Sequence, residues 1–138
     1  MHMSRSLSYA IYGMSHLAMQ PPDRLVALSE IAGRFNLPEK HLAKIFQHLA
    51  KTNLVYSKRG APGGFCLARK PSEITLLEIV EAVEGPIDVE GCLIADGKPC
   101  VHEPVCSVAA VLRRVQGRMV EALRELNLEE LGRTCERL

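Results

Sequence analysis

The chain has 138 residues, of which 47% are hydrophobic, and a net charge of +1. That length suffices for one compact core and is short for several independent domains. No apolar stretch approaches the roughly 20 residues of a membrane span, and no charged start precedes an apolar run, so we expect a soluble, cytoplasmic protein. In a reducing cytosol, five cysteines indicate metal binding or redox chemistry rather than structural disulfides.

Charge is distributed unevenly along the chain. Residues 24–70 contain nine Lys and Arg against two Glu, a net charge of +7. Residues 71–106 contain one Lys against eight acidic residues, a net charge of −7. The basic segment is typical of a surface that binds a polyanion, whereas the acidic segment is expected to avoid phosphate.

Apolar residues recur at helical spacing in three successive segments near the start of the chain. The first predicts a helix over residues 7–19, which two prolines end. The second predicts a short helix over residues 28–35, broken at Asn36-Leu37-Pro38. The third predicts a helix to about Lys51, with Pro38 in its first turn. The tight connection between the second and third helices is typical of a helix-turn-helix.

Two short strand-like runs, over residues 55–59 and 65–68, flank a glycine-rich turn and predict a β-hairpin wing with a basic tip. A fourth helix is predicted over residues 75–83, closed by Gly85-Pro86. Residues 87–106 have no periodicity and contain three of the five cysteines. A loop of this length usually has a function.

The last predicted helix covers residues 107–126. Its apolar residues alternate in steps of four and three, the heptad pattern of a coiled-coil seam: Val108, Leu112, Val115, Met119, Ala122 and Leu126. We expect this seam to pack against a second copy in a two-fold homodimer, with burial inside one chain as the alternative. The predicted fold is mainly α with a small β-hairpin wing. It comprises a winged helix-turn-helix DNA-binding domain over 1–86, a cysteine-containing loop over 87–106, and a dimerisation helix with a C-terminal tail over 107–138.

Candidate DNA-binding residues lie on the third helix and on the wing. A helix-turn-helix places its second helix in the major groove, and a basic wing reaches the adjacent minor groove, so two heads would bind a pseudo-palindrome of double-stranded DNA. The candidates are Lys40, His41, Lys44, Gln47, His48, Lys58, Arg59 and Gly60. Arg59 is favoured because the glycine after it allows close backbone approach. The alternative for each residue alone is a solvated position, and lysine more often neutralises phosphate than reads sequence.

Cys92, Cys100 and Cys106 lie close together in the sequence within the acidic loop. Soft thiolates bind iron-sulfur clusters, zinc or copper(I). The irregular loop favours an iron-sulfur cluster, of two or four irons, and zinc sites use closer spacings. A fourth position is left for another side chain or solvent, and the candidates are His102, Glu103, Asp96 and Ser8 of the partner subunit. His102 is favoured by its chemistry. Cys66 and Cys135 are expected to be ordinary thiols.

Four segments resemble the IscR/NsrR-type regulators of the Rrf family: Leu7-Ser8-Tyr9-Ala10, residues 28–51, the wing sequence 59–65, and the cysteine loop. The resemblance covers nearly the whole chain. It implies a dimeric repressor or activator whose winged heads bind operator DNA, with an iron-sulfur cluster at the base of the dimerisation helix. It assigns the cluster to the three loop cysteines and DNA contacts to Lys40, His41, Lys44 and Arg59.

Two positions depart from that family. Nitric-oxide-sensing members have an acidic ligand where this chain has Ser8, and members that control cluster biogenesis have a histidine where it has Ala109. The resemblance therefore leaves the signal open among redox state, nitric oxide and iron-sulfur status. A cluster-free thiol switch and a zinc-containing DNA-binding regulator are the rival interpretations. An enzyme is not predicted, because no nucleophile-base constellation or cofactor motif is present.

Overall fold

The structure is a computed structural model that describes residues 3–87 and 105–135. These ranges contain six α-helices, one antiparallel hairpin and one 3₁₀ turn. In chain order they are α1 (Arg5–Ala18), α2 (Leu28–Phe35), α3 (Glu39–Lys51), β1 (Val55–Lys58), β2 (Gly64–Leu67), the 3₁₀ turn (Pro71–Glu73), α4 (Leu76–Glu84), α5 (Ser107–Glu125) and α6 (Leu128–Cys135). The predicted mainly helical fold with a small β-hairpin wing is confirmed. Among the described residues, no helix is long and apolar enough to cross a membrane.

The helix-turn-helix consists of α2 and α3. Asn36, which follows α2, has a φ of 51°, and this left-handed conformation ends the helix and redirects the chain. Pro38 then precedes α3 as its N-cap, one residue earlier than the predicted position in the first turn. The predicted buried stripe of α3 is confirmed and consists of Leu42, Ile45, Phe46 and Leu49.

The core lies where α1, α3 and α4 pack together. Phe46 is fully buried there and packs edge-to-face on Phe65 of β2, with ring centroids 5.1 Å apart. Gly13 of α1 faces the same ring, and an added Cβ would lie 2.6 Å from it. This close approach fixes α1 across the helix-turn-helix.

The wing is anchored at its base. Its strands pair from Val55 opposite Leu67 to Lys58 opposite Gly64. Val26, in the connection before α2, exchanges two backbone hydrogen bonds of 2.9 Å with Phe65. The wing is therefore tied to the same connection that leads into the helix-turn-helix.

The C-terminal half of α5 returns the chain to the core. Met119, Val120 and Leu123 pack with the core residues, and Leu123 is buried. Just beyond the helix, the Leu76 N–H donates to the Leu126 carbonyl and the Leu128 N–H donates to the Ile74 carbonyl, both at 2.9 Å. These bonds join the end of α5 to the start of α4.

Helix α6 then packs against α1. Leu128 at its start is 1% exposed and belongs to the core. The sequence pattern predicted only a tail after residue 126, so α6 is an element that the structure adds. We refer below to α1–α4, the wing and α6 together as the head.

The N-terminal half of α5 leaves apolar side chains uncovered. Its predicted helix is confirmed within one residue, but Val108, Val111 and Val115 are 52%, 58% and 55% exposed. Two of these valines belong to the predicted seam, whereas Met119 of that seam packs on the head. Leu126 at the end of the seam is 45% exposed, so the head covers Met119 but not the whole C-terminal part of the seam.

Candidate functional site

The face of α3 opposite its buried stripe is cationic and exposed. With about 3.6 residues per turn, Lys40, Lys44 and Gln47 lie near the centre of this face. Lys51 extends it by one turn and is also exposed. We call these four residues the outer face of α3. Three of the predicted DNA contacts, Lys40, Lys44 and Gln47, are therefore exposed on one side of α3. A helix that enters the major groove presents its DNA contacts in this way.

His41 and His48 lie on one edge of the outer face, toward α1 and α4. The Nε2 atom of His41 is 2.9 Å from Oγ of Ser6 on α1. The His41 ring also packs edge-on to Tyr9, with centroids 5.5 Å apart. Both histidines line a cavity of about 230 Å³ between the three helices. They therefore lie beside the outer face rather than at its centre.

The predicted wing residues lie at the tip of the hairpin. Lys58 is the last residue of β1, and Arg59 and Gly60 begin the turn, all of them exposed. Gly60 has a φ of 103°, a conformation that side chains disfavour. Because Val55 at the other end of β1 is buried, the tip projects from a fixed base.

Two cations of the basic segment are engaged within the head. Arg24 pairs with Glu30 at 3.0 Å, and Glu30 also lies 2.9 Å from Nε2 of the buried His16. The hydrogen bond with His16, assisted by Arg24, lowers the pKa of the Glu30 carboxyl. Arg69 pairs with Glu78 at 2.6 Å. The cations available to an external polyanion are therefore concentrated on α3 and at the wing tip.

Cys106 is the described member of the predicted cluster ligands. It is the N-cap residue of α5, and its thiol is partly exposed, makes no capping hydrogen bond and is not in a disulfide. The N-terminal end of a helix stabilises negative charge, so this donor suits a thiolate ligand or an anionic cluster. Cys92, Cys100 and the candidate fourth ligands Asp96, His102 and Glu103 lie outside the described residues. Within residues 3–87 and 105–135, no three His, Cys, Asp or Glu side chains are grouped to hold a metal ion.

The remaining described positions of interest have different environments. Burial, and secondarily the charge of Asp23, raises the pKa of the Cys66 thiol and so disfavours its thiolate form. Ser8 is exposed on α1. Ala109, at the position where some resembling proteins have histidine, is buried on α5.

Comparison with known proteins gives these features a context. The profile of the Rrf2 family, described as "Iron-dependent Transcriptional regulator", matches residues 3–134. This chain belongs to the Rrf2 family. Among its Rrf2 relatives, the HTH-type transcriptional regulator NsrR of Halalkalibacterium halodurans is 28% identical over 131 residues, which cover 95% of this chain and 90% of the relative. The regulator IscR of Photorhabdus laumondii is 30% identical over 131 residues, 95% of this chain and 79% of the relative.

Solved structures agree with the Rrf2 assignment. CymR, the global cysteine regulator of B. subtilis, superposes with a TM-score of 0.78 at 28% identity, and the match covers 97% of this chain and 98% of CymR. IscR of T. potens gives a TM-score of 0.73 at 28% identity, covering 97% and 88%. The predicted resemblance is thereby confirmed, and the chain is a transcriptional regulator of the Rrf2 family.

The sequence did not indicate that two residues of α1 would lie against α3. Ser6 and Tyr9 occupy the first turns of α1, and the fold brings both against His41, which lies more than thirty residues further along the chain. A serine and a tyrosine in an amphipathic helix carry no local pattern that distinguishes them from surface residues. Their proximity to α3 follows from the crossing of α1 over the helix-turn-helix.

Proposed function

We propose that this protein is a homodimeric, iron-sulfur-dependent transcription regulator that binds pseudo-palindromic double-stranded DNA. The observation that carries the DNA-binding part is the cationic outer face of α3 beside an anchored basic wing. In this proposal Lys40, Lys44 and Gln47 meet the major groove, and Lys58, Arg59 and Gly60 reach the adjacent minor groove. His41 and His48 contact the DNA from the edge of α3.

The cofactor part of the proposal assigns Cys92, Cys100 and Cys106 as ligands, with His102 as the fourth. It is supported by the free Cys106 thiol at a helix end that favours negative charge. The Rrf2 family is also described as one of iron-dependent transcriptional regulators. When bound, a cluster of two or four irons supplies a centre that responds to redox state, nitric oxide or iron-sulfur status.

The dimer part rests on the open valines of α5. Three exposed β-branched side chains on one side of a helix are typical of a surface that packs against another helix. In the proposed dimer the N-terminal halves of two α5 helices pair, and each Cys106 lies near that interface. Residues 87–106 form the transducing segment, and a change there biases two arrangements of the heads with different affinity for DNA.

Two measurements test the function. Selection from a pool of random duplexes should enrich a pseudo-palindrome, and the enriched DNA should bind with an affinity that falls steeply as salt rises. Protein purified anaerobically should show charge-transfer absorption with bound iron and sulfide. The triple variant Cys92→Ala, Cys100→Ala, Cys106→Ala should lack that absorption, whereas the control Cys66→Ser should keep it.

The outcomes separate the candidate mechanisms. Colourless protein that binds zinc, or that changes its free-thiol count and its DNA affinity together on oxidation, would replace the cluster with the rival zinc or thiol-switch interpretation. Failure to enrich any duplex would contradict DNA binding itself. A Cys100→Ala variant that still responds like wild type would contradict the transducing role of the loop.

A further inference from the structure

We propose that the cavity between α1, α3 and α4 holds a backbone phosphate of the bound DNA, with Ser6 and Lys44 as its donors. The inference rests on the proposed DNA-binding function and extends it, because it adds the first helix to the DNA surface. It also changes the role of His41 from a candidate base contact to a residue that positions Ser6.

The cavity has the size and lining for such a group. Its volume of about 230 Å³ is several times the roughly 30 Å³ that one water molecule occupies in the liquid. It is lined by Ser6, His41, Lys44, Ile45, His48 and Val83. The lining thus combines polar side chains of α1 and α3 with the apolar side chains of Ile45 and Val83.

The contact between Ser6 and His41 prepares a hydrogen-bond donor. When the Nε2–H of His41 donates to Ser6 Oγ across the 2.9 Å separation, the serine keeps its own hydroxyl hydrogen for an external acceptor. Tyr9 packs against the imidazole and limits its rotation. A phosphate oxygen is an acceptor that this hydroxyl can serve.

The charges around the cavity favour an anion. Lys44 of α3 lines it, and Arg5 lies next to Ser6 in the first turn of α1, which contains no acidic residue. The positive end of the α1 dipole adds to this potential. Glu84 of α4 is the acidic group at this end of α1. Its carboxylate accepts hydrogen bonds from the N–H and the hydroxyl of Ser4, the N-cap residue.

The position of Lys44 connects the cavity to the DNA surface. This lysine belongs to the outer face of α3 and also lines the cavity, so a duplex docked on the outer face would bring one backbone strand over the cavity. A phosphate contact of this kind positions the protein on DNA without reading sequence. His41 and Ser6 should therefore affect all duplexes alike.

The test uses a duplex enriched from a random pool, a scrambled duplex of equal length, and copies of the enriched duplex that each carry one neutral methylphosphonate. For the wild type, neutralising one position in each half-site should weaken binding. Ser6→Ala and His41→Phe should weaken binding about three- to tenfold on both the enriched and the scrambled duplex. For both variants, a methylphosphonate at that one position should no longer weaken binding. Methylphosphonates at the other positions that weaken wild-type binding should still weaken it.

Lys51→Gln is the matched control, since Lys51 lies on the outer face but does not line the cavity. For Lys51→Gln, the methylphosphonate at the position to which Ser6→Ala is insensitive should still weaken binding as it does for the wild type. The proposal is wrong if Ser6→Ala, folded by circular dichroism, keeps the full wild-type pattern, or if His41→Phe weakens only the enriched duplex, as a base contact would. Absence of any binding by wild-type protein would instead refute the proposed DNA-binding function.

Discussion

The head and the N-terminal half of α5 differ in what covers their apolar side chains. In the head, Phe46 and Leu42 are completely buried by side chains of the same chain. On α5, three valines within eight residues are each more than half exposed. Burial of apolar surface stabilises by roughly 25 cal/mol per Å², and the head obtains this stabilisation from its own chain. In the proposed dimer, the open half of α5 would obtain it from a second copy.

The largest expected effect concerns the head. Phe46→Ala should reduce the free energy of unfolding by about 3–5 kcal/mol, because it leaves a cavity between Gly13, Phe65 and the rest of the core. Urea denaturation followed by circular dichroism measures this change. Tyr56→Ala, at a side chain that is 58% exposed, is the control and should change stability by less than about 0.5 kcal/mol. A small loss for Phe46→Ala would show that the head is not the self-sufficient region.

A substitution on the open helix should separate assembly from folding. Val115→Glu should raise the dimer dissociation constant by roughly 100-fold, about 2.8 kcal/mol, because each interface would bury an unpaired carboxylate. The circular dichroism of the head should stay unchanged. Sedimentation equilibrium measures the dissociation constant.

Ala110→Glu is the control for this prediction, because it adds the same charge on the exposed side of α5 away from the valines. Its dissociation constant should match the wild type. Equal dissociation constants for Val115→Glu and the wild type would place the dimer contact elsewhere.

A smaller effect is expected where the two regions join. Thr75 and Glu78 form a capping box at the start of α4, the helix against which α5 packs. Thr75→Ala should lower the free energy of unfolding by about 1 kcal/mol, and Thr75→Ser should restore most of it. Thermal and urea denaturation measure both variants. If the serine variant were as unstable as the alanine variant, the hydroxyl cap would not be the cause.

The smallest expected effect is the pH dependence of the same junction. Burial raises the pKa of the Glu78 carboxyl, but hydrogen bonds from the Thr75 N–H and from Arg69 outweigh this and leave the pKa below its ordinary value of 4.5. The stability that ionised Glu78 provides is therefore complete above pH 4.5 and lost as the pH falls through its lowered pKa. Urea denaturation should show wild type more stable than Glu78→Gln at pH 7, with a gap that narrows in acid. A gap independent of pH would mean that ionisation of Glu78 is not its source.

Sequence reasoning succeeded where a local pattern determines the structure. The apolar spacing of α3 and the glycine-rich turn of the wing are local patterns. The predicted bounds of both elements agree with the structure within a residue or two. The missed helix α6 also has a signal in its first turn. Asn127 stands three residues before Glu130, and its Oδ1 atom accepts a hydrogen bond of 3.0 Å from the Glu130 N–H. Attention to that capping pattern would have identified the helix.

Other features depend on tertiary packing and have no local pattern. The hydrogen bond between Ser6 and His41 exists because α1 crosses α3, and no spacing in the sequence encodes that crossing. The unequal burial of the heptad seam has the same origin, since Met119 packs on the head whereas Val115 and Leu126 are exposed. The sequence could identify a seam on α5 but not which part of it the head would cover.

The attachment of α5 also determines how motion at one end affects the other. The hydrogen bonds from Leu76 to Leu126 and from Leu128 to Ile74 hold the helix near its C-terminal end, and Cys106 lies at the opposite end. Met119, Val120 and Leu123 also pack on the head, so the free part of α5 extends from Ser107 to about Met119 and, at about 1.5 Å per residue, is about 18 Å long. A displacement of about 2 Å beside Cys106 then corresponds to a tilt of about 6° at the fixed end. Small angular freedom at the junction with α4 is thus enough to accommodate an ångström-scale rearrangement around this cysteine.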